Sequence, residues 1–343
     1  MGTMPEPAVF PWSIPLRGRI KVRAEDFVVD EIPATVPDGD GEHVWLSIRK
    51  TGHNSEDIAE WLARAAGVSR VHVGYAGRKD RFAVTSQWFS VQLPGKDAPD
   101  WVATAPERVE ILSSERHSRK LKTGHLAGNR FHLRLSDVTG DHDAADAVLE
   151  RIRSRGLPDY FGEQRFGHDN LGRARAWFAG RLRPRSRNQR SLYLSAARAA
   201  IFNAVLRRRV EEGTWEHLLP GELVMLDGSN SIFPAPVIDD DLRLRCASLD
   251  LHPTGPLWGR GDPGSTGVVL ALESAFAHAH SELAQGLDRE GLAHARRPLR
   301  MRPRDLTWQW DECGDLLLNM ELGPGEYATG VVGAIAQLQE QLT

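Results

Sequence analysis

The first 150 residues are made of short β-branched and aromatic runs separated by turn residues, with one strongly marked helix among them. This order limits the fold most, because strands that follow one another without a regular helical crossover pair mainly antiparallel. Residues 18–37 read as a short strand and turn between Gly18 and Pro33. The HVWLSIRK segment at His43–Lys50 alternates as a strand does, and Trp88–Leu93, Val109–Ser113 and Phe131–Ser136 are further short strands. The helix spans Ser55–Gly67. Asn54 or Ser55 caps it, Glu56 and Asp57 occupy its first turn, Gly67 stops it, and Ile58, Leu62 and Ala65 with Ala66 form its buried stripe.

Further helices are expected over Asp143–Ser154, Leu171–Gly180, Ser191–Glu212 and about Val268–Gly286, with an arginine-rich loop before the third. The tail alternates from Asp315 (DLLLNMEL), turns at Gly323-Pro324-Gly325 and ends in a helix over Ala328–Gln341. A strand and helix arriving after a long mixed segment suit a return to the first domain's sheet. At 343 residues the chain has room for about two domains, and no internal repeat divides it.

With 41% hydrophobic and 26% charged residues the chain fits neither collagen-like nor disordered classes. No apolar run reaches the roughly 20 residues that span a bilayer. The proline-broken N-terminus reads as neither a secretory signal nor a presequence. Cys246 and Cys313 have neither disulfide-framework nor zinc spacing. A cytoplasmic globular protein without a membrane partner is expected, and no obligate protein partner is evident.

Charge is nearly balanced, 43 Lys plus Arg against 46 Asp plus Glu, but it is segregated. Arg181–Arg190 and Arg296–Arg304 each hold five arginines and no acid, and Arg116–Arg134 holds six cations and no acid. Acids gather instead at 137–150 and 239–241. Segregated charge presents basic faces to phosphate even when the total is near zero. Solvated loops and helix faces are the plainer reading of any single run.

Several familiar chemistries are missing: the sequence has no GxxxxGK[ST] loop, no GxGxxG after a strand and no GxSxG elbow. His278 and His280, two apart on a helix, face different directions and make a poor metal pair. Gly74-Tyr-Ala-Gly-Arg-Lys-Asp-Arg-Phe-Ala-Val-Thr-Ser-Gln-Trp-Phe-Ser-Val91 stands out. Two glycines permit a tight loop, and the cations around Asp80 favour its carboxylate form. An ionised carboxylate is suited to act as a nucleophile or a stabiliser of positive charge. A surface salt bridge in a loop explains the same string if it is taken alone.

Other segments accompany it in fixed order: Phe27 in EDFVVDEIP, GNRFHLR at 128–134, YFGEQRFG at 160–167, SAARAAIFN at 195–203 and PGEYAT at 324–329. Together with the GxKDxxAxTxQ string these resemble the TruD family of tRNA pseudouridine synthases, from about residue 16 to 335. The resemblance implies an α+β fold: a pseudouridine-synthase domain around a largely antiparallel mixed sheet, plus an inserted α/β TRUD domain. The catalytic domain would comprise residues 1–154 with 305–343, and the insert 155–304. It also implies isomerisation of a transfer RNA uridine, typically position 13 of the D-arm region, with Asp80 as the catalytic carboxylate. No metal or other cofactor is required, since nothing is oxidised and no group is donated.

The target nucleotide must leave the RNA stack. Phe27 and Phe131 are offered by the resemblance to hold the base, with core packing as the alternative for Phe131. Asn129, on the same strand face, would bond the uracil edge or shape the turn. Lys21 and Lys79 are both candidates for the cation beside Asp80. Lys21 is favoured, because a direct neighbour points away in extended chain. Phosphate contacts are expected from Arg119, Lys120 and Lys122, from Arg181, Arg183 and Arg185, and from Arg296, Arg297 and Arg300.

Glu163, Gln164 and Arg165 suit an interdomain role or RNA contact equally. Family members commonly place a Leu-Arg-Glu type sequence after the threonine matching Thr329, whereas Gly330-Val-Val-Gly-Ala-Ile follows here. Two other classes of function compete: a non-catalytic tRNA-binding or RNA-chaperone protein, and a glycoside hydrolase using Glu25 or Glu31 as a second acid.

Overall fold

A computed structural model describes residues 7–339. In chain order the elements begin with β1 (Leu16–Ile20), β2 (Phe27–Pro33), β3 (His43–Thr51), α1 (Ser55–Ala65), β4 (Val73–Tyr75), β5 (Val84–Gln92), β6 (Val109–His117) and β7 (Leu126–Gly140). The middle of the chain holds α2 (His142–Arg155), β8 (Leu157–Pro158), α3 (Glu163–Phe166), α4 (Asn170–Phe178), α5 (Arg187–Glu211), β9 (Glu222–Leu226) and β10 (Ile232–Ala235). It continues with α6 (Asp240–Ala247), β11 (Leu251–Leu257), α7 (Gly267–Ala279), α8 (Ser281–Arg289), β12 (Ala295–Pro298) and β13 (Arg300–Met301). The tail forms β14 (Arg304–Trp310), β15 (Leu316–Leu322), α9 (Ala328–Ile335) and β16 (Ala336–Leu338).

The described chain divides into two compact units. One comprises Pro15–His142, Pro303–Ala328 and residues 336–339. Its sheet runs β14-β15-β7-β2-β5-β3-β6, with β1 on β7 and β16, and β4 on β5. Only the β2–β5 and β1–β16 pairs are parallel among the described strands. Alternation in β3 puts Val44, Leu46 and Ile48 on one face, where they pack with Ile58 and Leu62 of α1 and Phe89 and Val91 of β5. The helix is started by Asn54, whose amide donates to Asp57 at 2.8 Å, and stopped at Gly67 with φ of +61°.

The register between β2 and β7 positions the site. Phe27 stands opposite Leu133, Val29 opposite Phe131, and Glu31 opposite Asn129. With a side-chain period of two, Phe27, Glu31, Asn129 and Phe131 therefore share one face of adjacent strands.

The second unit comprises residues 7–14, Asp143–Arg302 and Thr329–Ile335, so it takes in most of α2 and α9. Phe161, Phe166, Tyr193, Phe202, Trp215 and Leu283 are among the apolar side chains of its core. A four-stranded antiparallel sheet, β10-β9-β11-β12, belongs to it.

Several elements differ from their sequence expectation. The helix expected over 268–286 is two, α7 and α8, broken at His280, whose φ of −111° and ψ of 40° lie outside the helical region. No glycine or proline marks that break. The tail helix ends at Ile335, and Ala336–Leu338 pairs with Leu16–Gly18 as β16; an open ladder position on β1 overrides helix propensity there. Residues 340–341 of the expected helix, and the first six of the N-terminal reading, lie outside the described residues. The basic loop shrinks to 181–186, because the Ser186 hydroxyl accepts from the Gln189 amide and starts α5 at Arg187.

Candidate active site

The Gly74–Asp80 segment is held by a set of hydrogen bonds that gives the spacing of its string a physical reason. Ser55 at the start of α1 accepts from the Lys79 amide at 2.9 Å and donates to Gln87 Oε1 at 2.7 Å. The Gln87 amide in turn donates to the Gly77 carbonyl. Gly52 N–H donates to the Arg81 carbonyl at 3.0 Å on the other side. Ala83, Thr85 and Gln87 are buried, so β5 anchors a loop whose polar tip stays accessible. Gly74 is required by close approach: a Cβ there would lie 2.2 Å from the Leu121 carbonyl oxygen.

At the tip, Asp80 Oδ2 accepts a hydrogen bond from Lys21 Nζ, and Oδ1 accepts from the Phe82 amide at 3.0 Å. Partial burial alone would raise the Asp80 pKa. The Lys21 hydrogen bond, the Phe82 amide and the charges of Lys21 and Lys50 outweigh it and hold the carboxyl below its ordinary range. Lys21 reaches this position from a left-handed backbone, φ +58°, which costs a non-glycine residue about 1–2 kcal/mol. Its Nζ also lies 4.3 Å from the centre of the Phe27 ring.

Phe27 and Phe131 meet edge to face with centroids 6.2 Å apart, and both are buried at 7% and 8% exposure. Lys79 points away from Asp80: its Nζ donates to Asn129 Oδ1 and lies 2.9 Å from Glu31 Oε2 as an ion pair. Glu31 Oε1 accepts from the Trp88 amide at 3.2 Å. Asp80, Lys21, Phe27, Lys79, Asn129 and Phe131 are thus one constellation, and Glu31 is its structural partner. Glu25, by contrast, is exposed and 3.6 Å from Arg108.

Lys50 was not singled out from the sequence. It is fully buried, donates to the His53 carbonyl at 2.7 Å, and burial lowers its pKa to about 8 against the attraction of Asp80. Alternation along HVWLSIRK marks it, because Lys50 falls on the face of Val44, Leu46 and Ile48 where a cation is out of place. Phe82, two residues from Asp80, is 66% exposed and is a second residue that the sequence reading passed over.

The expected phosphate contacts divide. Arg119, Lys122, Arg181, Arg183 and Arg185 are exposed, and Lys120 is half-buried with its amine on the Val71 carbonyl. Arg296, Arg297 and Arg300 are corrected: they are interior groups. Arg296 makes a bidentate pair with buried Glu273 at 2.7 and 2.9 Å. Arg297 pairs with buried Asp159 at 2.6 Å, and Arg300 donates to the Cys246 and Leu251 carbonyls at 2.8 Å each. An acid-free run in sequence says nothing about acids brought up from distant segments. Arg165 of α3 donates to the Ser195 hydroxyl at 3.0 Å. Both cysteines are free, Cys246 buried and Cys313 exposed. No helix among the described residues is long and apolar enough to cross a membrane, and none of their His, Cys, Asp and Glu side chains cluster as a metal site.

Known proteins share this framework. The family model for tRNA pseudouridine synthase D (TruD) matches residues 13–174 and 171–334. The chain is 47% identical over 327 residues to the tRNA pseudouridine synthase D of Methylococcus capsulatus, covering 95% of this chain and 92% of that one. It is 45% identical to that of Aeromonas salmonicida, with 94% and 92% covered. The crystal structure of a candidate TruD from Methanosarcina mazei, only 17% identical, superposes with a TM-score of 0.72 over 96% of this chain and 95% of that one, which shows the shared fold. With two family matches spanning nearly its whole length and relatives near half identical, the chain belongs to the TruD family of tRNA pseudouridine synthases.

Proposed function

We propose that this protein isomerises a uridine of transfer RNA, at position 13, to pseudouridine through the carboxylate of Asp80. The observation that carries this reading is the ionised Asp80 held between Lys21 and the Phe82 amide beside the Phe27–Phe131 pair. In this reaction the N1–C1′ bond breaks, the base turns, C5 bonds to C1′, N1 gains a proton and C5 loses one. Atoms and electrons balance within the nucleotide, so the reaction calls for no redox cofactor, metal or ATP.

An anionic oxygen at C1′ serves bond cleavage by charge stabilisation or by direct attack, and as a base it takes a sugar proton. All three uses need the ionised form that Lys21 maintains. Lys79 occupies the Asn129 oxygen, which leaves the Asn129 NH2 as a donor suited to a uracil carbonyl. Phe131 and Phe27 provide the apolar wall for the everted base, and exposed Phe82 stands where a neighbouring nucleotide would pass. Every residue in this reading belongs to the unit built on the large sheet. We assign catalysis to 1–154 with 305–343, treat 155–304 as the family insert, and place the reaction in the cytoplasm with its RNA.

Lys21→Met removes the hydrogen bond and the charge that oppose desolvation. The Asp80 pKa then rises, so the acidic limb of kcat/KM moves to higher pH, and the maximum falls about 10²-fold. A pH profile unchanged from the parent's would rule out Lys21 as the group that keeps Asp80 ionised. The reaction itself is tested by incubating the protein with unmodified tRNA and mapping carbodiimide-dependent reverse-transcription stops. One stop at position 13 is expected. Tight tRNA binding without a stop would favour a binding protein, and release of free uracil a hydrolase.

A further inference from the structure

We infer that a cavity beside the catalytic loop is a second RNA site, which takes a phosphodiester and its sugar from the substrate outside the pocket for the target base. The inference rests on the tRNA reading above and deepens it. The cavity measures about 660 Å³ and is lined by the 35–38 turn, His43 and Trp45 of β3, and the segment from His117 to His125. That volume is within the usual range for a small-ligand site.

Its chemistry suits an anion. Arg119 and Lys122 line it, are exposed, and form no ion pair among the described residues. Lys120 adds a third cation, with its amine on the Val71 carbonyl. His43 also lines it at 4% exposure, with its Nε2 3.6 Å from Glu42. The cavity also holds one carboxylate, which repels an anion: Asp38 accepts from the Ser118 hydroxyl at 2.6 Å and amide at 3.1 Å, and these bonds keep it ionised. A phosphate is therefore directed to the Arg119–Lys122 side. His125, on the same wall, is bonded to Thr35 at 2.5 Å.

The cavity wall is mechanically joined to the catalytic loop. Gly124 N–H donates to the Ala76 carbonyl at 2.6 Å, Leu121 N–H donates to Ser90 Oγ at 2.9 Å, and the Leu121 carbonyl packs against Gly74. Holding one phosphate in the cavity fixes the register of the RNA relative to Asp80, which is what phosphate contacts do in nucleic-acid recognition. Of the basic run 116–134 only Arg119, Lys120 and Lys122 are given this ligand, since Arg116 donates to the Leu93 carbonyl and Arg130 and Arg134 pair with Glu321 and with Asp311 and Asp315.

Two variants test this with unmodified tRNA. Arg119→Ala with Lys122→Ala should weaken tRNA binding about tenfold near 0.1 M salt and reduce the slope of log Kd against log salt by about 1–2, as expected when one or two phosphate contacts are lost. Val36→Trp keeps every charge but fills the mouth of the cavity from a residue that is 73% exposed. It should raise KM about fivefold, with the loss falling on KM more than on kcat, and it should leave the thermal midpoint alone. If the double variant weakens binding but Val36→Trp does not, the cations form only a surface patch and the site is refuted. If neither variant has an effect while Asp80 remains indispensable, the site is refuted and the tRNA reading stands. Loss of the requirement for Asp80 would instead overturn that reading.

Discussion

Asp80→Asn eliminates pseudouridine formation, by at least about 10³-fold, while tRNA affinity stays within a few-fold of the parent's. The amide keeps the size of the carboxylate and one acceptor oxygen, so the Phe82 amide retains a partner. What it loses is the negative charge at the sugar, and removing a single group aimed at transition-state charge commonly costs about 10²–10³-fold even when it is neutral. Binding should survive, because the reading proposed above assigns the phosphate contacts to cations outside the pocket. Lys21 loses its charged partner but still lies over Phe27. The measurement is single-turnover carbodiimide mapping alongside a filter-binding isotherm. Residual activity within tenfold of the parent's would exclude the carboxylate as the reacting group, and a parallel loss of affinity would make Asp80 a binding residue.

Arg296→Met destabilises the protein by about 3–5 kcal/mol, the usual cost of leaving one partner of a buried ion pair uncompensated. Glu273 is 1% exposed and takes two of the Arg296 hydrogen bonds, the others going to the Thr254 hydroxyl and carbonyl, with the Ser265 hydroxyl at 2.7 Å as its remaining donor. For a unit of this size the loss corresponds to a fall in thermal midpoint of about 10 °C. At a temperature where the variant is folded, its salt-dependent tRNA affinity matches the parent's. Adding Glu273→Leu should restore much of the midpoint, because a pair of well-packed apolar groups can replace a buried pair at little cost. A variant that melted normally but bound tRNA tenfold more weakly would return Arg296 to the RNA surface.

These two residues show why parts of the protein were legible in advance and others were not. Asp80 sits in a short contiguous string, and several hydrogen bonds that shape its loop join Gly77, Lys79 and Gln87 of that string with Ser55 of the preceding helix, although Lys21, Gly52 and Gly124 reach it from outside. The strands were legible for the same reason, since alternation is a local pattern that burial on one sheet face enforces. β7 nevertheless runs from Leu126 to Gly140, far beyond the expected Phe131–Ser136, because β2, β15 and β1 all pair along it. Partners distant in sequence extended a strand whose ends carry little local signal.

Lys50 lies between these cases. Its place on an apolar face was readable, but what a buried ammonium is for depends on the carboxylate that folding brings near it. Arg296, Arg297 and Arg300 mark the opposite limit. Their sequence neighbours contain no acid, yet Glu273 comes from α7 and Asp159 from the segment after β8.

By itself the sequence determined the α+β character of the chain, which rests on turn residues and the two-residue period of a strand, whereas Asp80 and the Phe27 and Phe131 pair were offered by the ordered motifs that it shares with a known family. Tertiary structure alone decided which cations neutralise interior acids and which face solvent, that Lys79 turns to Glu31 and Asn129, and that the tail closes against β1 as a strand. Charge pairing and edge pairing act through space between segments far apart in the chain, and linear order does not encode that distance.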